Sequence, residues 1–423
     1  MNRPTPLLSL VILTLLLAGC GAGTPEERED PEDPGETGIT VSGKLLFPNG
    51  SAASEITAVV DGQVITPNSD GSFQAEDVEA PYDVSVKYDA FPAVISFQGL
   101  TVEEPVLLIQ SPGSVEREAS ITFTAYSFDP TGSYDYAVCS GPVFLLGCGG
   151  HAMAQTTPTT NTVRWRGPAS IPARIASAQG TVAGLQPRMF TNYTHFASRT
   201  GMTFVDGATS DYSLTYAPVA TGTITGTTSA PAGFTVTHRG LGLMTGDDQW
   251  GVISYEADSA VSPILPAFSL ATPAASGFSY YVTATAKQGD ASVTRYQPVA
   301  SANATDVTLD LPTPPQLRQP ANNQVGLTEN MLFEWTPVEG ALYMLGVVAP
   351  TATSYLIVTA NPEARLPDLS ALGISLPSAE TLDWYVEAYA PIASVDELAI
   401  GVDYTSIGDT YATSARRSFT TAP

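Results

Sequence analysis

From Ile39 almost to its last residue, this chain alternates apolar and polar side chains with a period of two, in runs cut short by turn dipeptides. The segments ITVSGKLLFPNG, ITAVVDGQVIT and YDVSVKYDAF show the pattern, and Asn49-Gly50, Asp61-Gly62 and Asp70-Gly71 punctuate it. Period-two alternation places successive side chains on opposite faces of a strand. Asn, Asp and Gly tolerate the positive φ that tight hairpin turns require. No stretch carries a helical period of useful length; LPDLSALG and SVDELAIG allow a turn or two at most. The expected fold class is therefore all-β, built as tandem β-sandwich domains, which excludes the large α/β enzyme folds.

Ahead of this region lies a different kind of chain. Arg3, an apolar stretch from Leu7 to Leu17 and the small residues Ala18 and Gly19 have the layout of a secretory signal over residues 1–19. The stretch is shorter than the roughly 20 apolar residues of a spanning helix and is broken by Ser9 and Thr14. The segment LAGC, Leu17 to Cys20, resembles the lipobox of bacterial lipoproteins. That resemblance implies cleavage before Cys20, lipid attachment to Cys20 and a palmitate-type acyl anchor in the membrane, since several chains on one residue hold where one does not. Gly21 in place of Asp implies the outer membrane as destination, on its periplasmic face or at the cell surface. Residues 20–38 then read as an acidic tether, with Pro25, Pro31 and Pro34 among like charges that keep it extended.

Composition sets limits on partners. The net charge of −25 repels phosphate backbones, which argues against nucleic acid. Only 14% of residues are charged while 43% are hydrophobic, so the chain folds rather than remaining an acidic coil. Cys139 and Cys148, in CSGPVFLLGC, read as one local disulfide in an exported chain. The competing idea, a metal site, would have to recruit His151.

Turn and proline signals divide the folded part into sandwiches at 39–112, 117–220, 221–313 and 316–423, expected to follow one another as a string. Length favours two sandwiches rather than one across 117–313. Residues 39–110, with Gly43 in the first strand, the turn Asp70–Phe73 and the strand beginning at Tyr82, resemble the transthyretin-like module of carboxypeptidase regulatory domains, although Pro81 stands where that family usually has glycine. The segment MLFEWTPVEGALYMLGVV, with Trp335, Gly340 and Tyr343, and the later ETLDWYVEAYAP resemble a fibronectin type III-like domain. That resemblance implies that Trp335 packs between the sheets, and Trp384 stands where tyrosine is commoner. Leu382, Trp384, Val386 and Ala388 are expected to share the inner face.

Catalytic signals are scarce. His151, His195 and His238 are scattered, and no G-x-S-x-G, H-E-x-x-H or Walker sequence is present. Asp247-Asp248 beside Trp250 is the most suggestive acidic pair; it reads as a turn or as a sugar or calcium site. The apolar tip GPVFLLG is either a binding anchor or a flap folded over a sandwich end. The function expected is a non-catalytic, membrane-anchored envelope lipoprotein that acts as a spacer or as a binding and adhesion module for an envelope protein or glycan, with no cofactor. The alternative is a carbohydrate-active or peptidase accessory enzyme with its site in residues 117–313. Cys20→Ala is expected to release the protein from the membrane fraction or leave it unprocessed, with fatty-acid labelling as the check; equal labelling of the variant would remove the anchor.

Overall fold

The computed structural model describes the chain from Gly38 onward, apart from residues 48–49, 54–55, 89–91, 110–115, 127–133, 141–144, 147–149, 154–158, 167, 186–187, 246–247, 258–263 and 402–408. The fold is all-β, with two short 3-10 turns, Ser370–Leu372 and Val395–Glu397, inside the two segments expected to hold a turn. No helix among the described residues is long and apolar enough to cross a membrane.

Three successive modules share one seven-stranded plan. In the first, Ile39–Leu46 lies between Ser72–Val78, antiparallel, and Val106–Leu108, parallel. The facing layer runs in the order third, second, fifth and sixth: Gln63–Ile65, Ile56–Val60, Tyr82–Tyr88 and Ala93–Leu100. The module beginning at Thr221–Ser229 repeats this order strand for strand, with Ala267–Pro273 and Val307–Asp310 flanking its first strand. The module beginning at Glu116–Tyr126 does so with two additions, the short strands Leu145–Leu146 and Ala217–Pro218.

A glycine fixes the first strand in two of them. A Cβ on Gly43 would stand 2.5 Å from the Phe73 ring, and one on Gly226 would stand 2.6 Å from the Phe268 ring. Each phenylalanine lies over bare backbone directly across the ladder, where any side chain would expel it. The Asp70-Gly71 turn forms as expected, with Gly71 at φ 80° and Ser72 donating from both N and Oγ to Asp70 Oδ1.

The fourth module packs a layer of Leu317–Gln319, Leu332–Trp335 and Glu363–Arg365 over a larger sheet built on Leu342–Val348 and Thr381–Ala390. Trp335 and Trp384 are 1% and 0% exposed between the layers. Phe333 stands edge-on to Trp384 at 5.2 Å, and Tyr343 edge-on to Trp335 at 5.4 Å. Leu382, Val386 and Ala388 share that buried face with Trp384. The Tyr343 hydroxyl closes the preceding turn, donating to Val338 O and accepting from Val338 N.

The modules do not follow one another as a string. Ala93–Leu100, the sixth strand of the first module, pairs in parallel with Ser354–Thr359 of the fourth, from Ser354↔Ala93 to Thr359↔Gln98. Ala291–Val299, the sixth strand of the third, pairs antiparallel with Thr410–Thr413 of the fourth. One sheet of fourteen strands thus runs through three modules. The expected order of independent beads misses this because a strand edge carries unpaired N–H and C=O groups that must be covered whatever its side chains are. The segment from Ile392 to Ala399 adds a second weld: Ile392, Val395 and Leu398 enter the core of the first module, and Val106 N donates to Ala399 O at 2.7 Å.

The second module joins the third differently. Its sixth strand, Arg188–Val205, is capped rather than extended: Phe190 N donates to Ser254 Oγ, Tyr193 N to Thr221 Oγ1 and Thr203 N to the Tyr212 hydroxyl. Phe196 packs edge-on to Phe278 at 5.1 Å, so the apolar core is continuous between the two modules. The second module also keeps a core of its own around Trp165, Phe204 and Ile121.

Trp335→Ala is expected to cost about 3–5 kcal/mol. Because the first and third modules pair their sixth strands with the fourth, calorimetry should show their unfolding moving down with it. Transitions for those modules that stay at the wild-type temperature would contradict the weld.

Candidate functional site

Where the third module meets the fourth, the long sheet turns one face outward. Its strands read TVTHRG, YYVTATAK, ASVTRYQP, TYAT and YVEAYA, each alternating small apolar residues with Thr, Tyr or His. Ala284, Val293, Ala412 and Ala388 point into the core. The intervening positions line up across the ladder: His238 opposite Thr285, Thr285 opposite Thr294, Thr294 opposite Tyr411 and Tyr411 opposite Tyr389. Tyr389 is 8% exposed and lies in the core shared by the first and fourth modules, so the open part of the row ends at the half-buried Tyr411. With strands about 4.8 Å apart, the three steps from His238 to Tyr411 span about 14 Å.

The row is internally bonded. The hydroxyls of Thr285 and Thr294 lie 2.8 Å apart, and those of Tyr389 and Tyr411 each donate to one oxygen of Glu387 at 2.9 Å. The rings of Tyr389 and Tyr411 lie 5.1 Å apart. Beside them Tyr281 stands edge-on to Tyr296 at 5.7 Å, and the Arg416 guanidinium lies 4.8 Å over the Tyr385 ring. Burial is the main reason these phenols resist ionisation. It pushes Tyr411 up to about 12, helped by the charge of Glu387, and raises Tyr281, Tyr296 and Tyr385 as well.

At the His238 end the face deepens into a pocket of about 310 Å³ where the second module meets the third, lined by Tyr136, His238, Arg239, Gly240, Val252, Tyr255, Thr283 and Thr285. Gly240 is packed closely by its neighbours: a Cβ there would reach Val252 Cγ1 at 2.8 Å, Ser254 O at 3.2 Å and Thr283 Cγ2 at 3.3 Å. Arg239 sends its guanidinium the other way, into the module, where it is 2% exposed, pairs with Glu256 and donates to Thr228 Oγ1 and Leu265 O. A wider groove of about 780 Å³ lies at the seam of the first and fourth modules, beside Lys87, Pro92, Thr353 and Ile374.

The residues singled out from sequence are dispersed. Cys20 lies outside the described residues, as does Cys148. Cys139 is half-buried on Tyr134–Ser140, opposite Ile175 and against the core of the second module. His151 sits on Gly150–Met153 opposite Tyr136, while His195 faces Gln179 on Arg188–Val205, its Nδ1 buried without a hydrogen-bond partner. His238 is exposed, with Nδ1 3.1 Å from Thr237 Oγ1. Asp247 lies outside the described residues, and Asp248 pairs with Thr245 at the head of a hairpin that also carries the backbone of Trp250. Within GPVFLLG, Leu145–Leu146 form a short strand whose backbone pairs with Trp165 and Arg164, and the rest of the segment lies outside the described residues.

Sequence reasoning missed the Thr/Tyr row. Its only signal is the choice of Thr and Tyr at outward positions of strands that are far apart in the chain.

For a phenol whose folded pKa lies above its ordinary value of 10.0, stability is intact below pH 10 and is lost as pH rises from there toward 12, because only the unfolded chain ionises freely in that window. Phenolate absorbance is expected to rise between pH 10 and 12 together with loss of tertiary circular dichroism. Full titration at pH 10 with the fold intact would contradict the buried setting.

No family model matches this chain, and no curated protein matches it. Among solved structures it is similar to a leucine-rich repeat protein from Bacteroides thetaiotaomicron VPI-5482, at 11% identity and a TM-score of 0.17, over 46% of this chain and 26% of that one. It is also similar to the Streptococcal ancillary pilin, at 10% identity and a TM-score of 0.14, over 64% of this chain and 99% of that one. Neither likeness extends to function.

Proposed function

We propose that this is a lipid-anchored protein of the bacterial cell envelope that binds an envelope component without catalysis. The anchor is acyl chains on Cys20, the destination the outer membrane, and the acidic stretch to residue 38 holds the modules away from the lipid. In this reading the first module is a transthyretin-like, carboxypeptidase-regulatory-like unit, supported by the Gly43–Phe73 contact, and the last is fibronectin type III-like, supported by the buried Trp335. Cys139 and Cys148 form a disulfide that staples the second module.

The observation that carries the binding role is the partly exposed row His238, Thr285, Thr294 and Tyr411, held on a sheet continuous through three modules. A face on welded strands keeps its side chains in place before a ligand arrives, so little ordering cost is left for binding. Sandwich folds host many functions, so the role rests on this face and not on the fold.

The test is retention of purified envelope polysaccharides and proteins on the immobilised full chain. Binding of one component that is recovered chemically unchanged is expected. Cleavage of the retained component would overturn the non-catalytic reading, and no retention of any component would overturn the binding role.

A further inference from the structure

The pocket at the seam of the second and third modules says more about the ligand. We propose that it holds one uncharged sugar residue of a glycan whose neighbouring residues lie along the row from His238 to Tyr411. This rests on the binding role proposed for the same face and deepens it to a ligand class.

Charge decides first. Among the described residues the lining carries no carboxylate to attract a cation. Its one guanidinium, that of Arg239, is 2% exposed and paired with Glu256, and the net charge of −25 repels an anion. Farther along the row, both oxygens of Glu387 already accept tyrosine hydroxyls. With Arg239, Arg416 and Glu387 each engaged by neighbouring side chains, the face suits an uncharged partner.

The backbone decides next. Peptides that bind sheets usually do so by adding a strand to a free edge. Every strand under the row is paired on both sides, so only side chains are presented. Those side chains are threonine hydroxyls, phenols, an imidazole and ring faces: short donors and acceptors suited to sugar hydroxyls, and π-surfaces suited to the C–H faces of a pyranose.

Size agrees. A volume of about 310 Å³ is at the lower limit of ligand pockets, room for one ring and its water. The row from His238 to Tyr411, about 14 Å by the strand spacing, gives the neighbouring rings somewhere to lie.

The experiment is calorimetric titration of the full chain, held in a detergent without a sugar headgroup, with hexamers of glucose, mannose and N-acetylglucosamine. An alginate hexamer and a glucosamine hexamer serve as charged probes. At least one neutral hexamer is expected to bind, and His238→Ala and Thr285→Val are each expected to weaken it tenfold or more. His238 is exposed and Thr285→Val preserves shape, so unchanged melting of both variants confirms that the fold is kept. The proposal falls if no neutral hexamer binds, if a charged hexamer binds more tightly than the neutral ones, or if both conservative variants bind within twofold of wild type. Should wild type and variants be retained equally on envelope material, the binding role stands and the pocket assignment alone fails.

Discussion

The parallel pairing of Ala93–Leu100 with Ser354–Thr359 is the contact on which the rest of the arrangement depends. A sandwich of the seven-stranded plan leaves its sixth strand at an edge, and an edge must be covered or it recruits another chain. The first module covers its edge with the fourth, and the third does the same on the other side of that module. The second is blunted by Ser254, Thr221 and Tyr212 and by its own exit strand, Ala217–Pro218. One unsatisfied feature of a repeated module is thus met by two sheet extensions and one set of caps.

The candidate site is a product of those extensions. Thr294 faces Tyr411 only because the third module's sixth strand lies against Thr410–Thr413. Without that seam the row would break between Thr285–Thr294 and Tyr389–Tyr411, and the pocket would open onto a shorter face. Packing against the second module supplies the remaining wall, through Tyr136. The site therefore belongs to the assembly of modules and to none of them singly.

Much of the local structure is legible in the sequence because its causes are local. The Asp70-Gly71 turn follows from what those residues tolerate, Gly43 is tied to its partner Phe73, and the alternation from Leu382 to Ala388 identifies the buried side of its strand. The seams are not legible. Strand edges join through backbone atoms that every residue possesses, so Ser354–Thr359 carries no mark that it pairs with a strand more than 250 positions earlier. The Thr/Tyr row inherits that opacity: Thr285, Thr294 and Tyr411 each look like an ordinary outward residue until the register aligns them. Histidines and paired acids drew attention because their chemistry is conspicuous, and of these His238 lines the pocket.

Amide hydrogen exchange across Ala93–Leu100 tests the weld most directly. Alternate amides of this strand face opposite neighbours, one set toward Tyr82–Tyr88 and the other toward Ser354–Thr359. If the first and fourth modules are one cooperative sheet, both sets from Val94 to Phe97 exchange only through global unfolding, with equal protection. If the seam is absent, the set facing Ser354–Thr359 exchanges at the rate of an open edge while the other set stays protected.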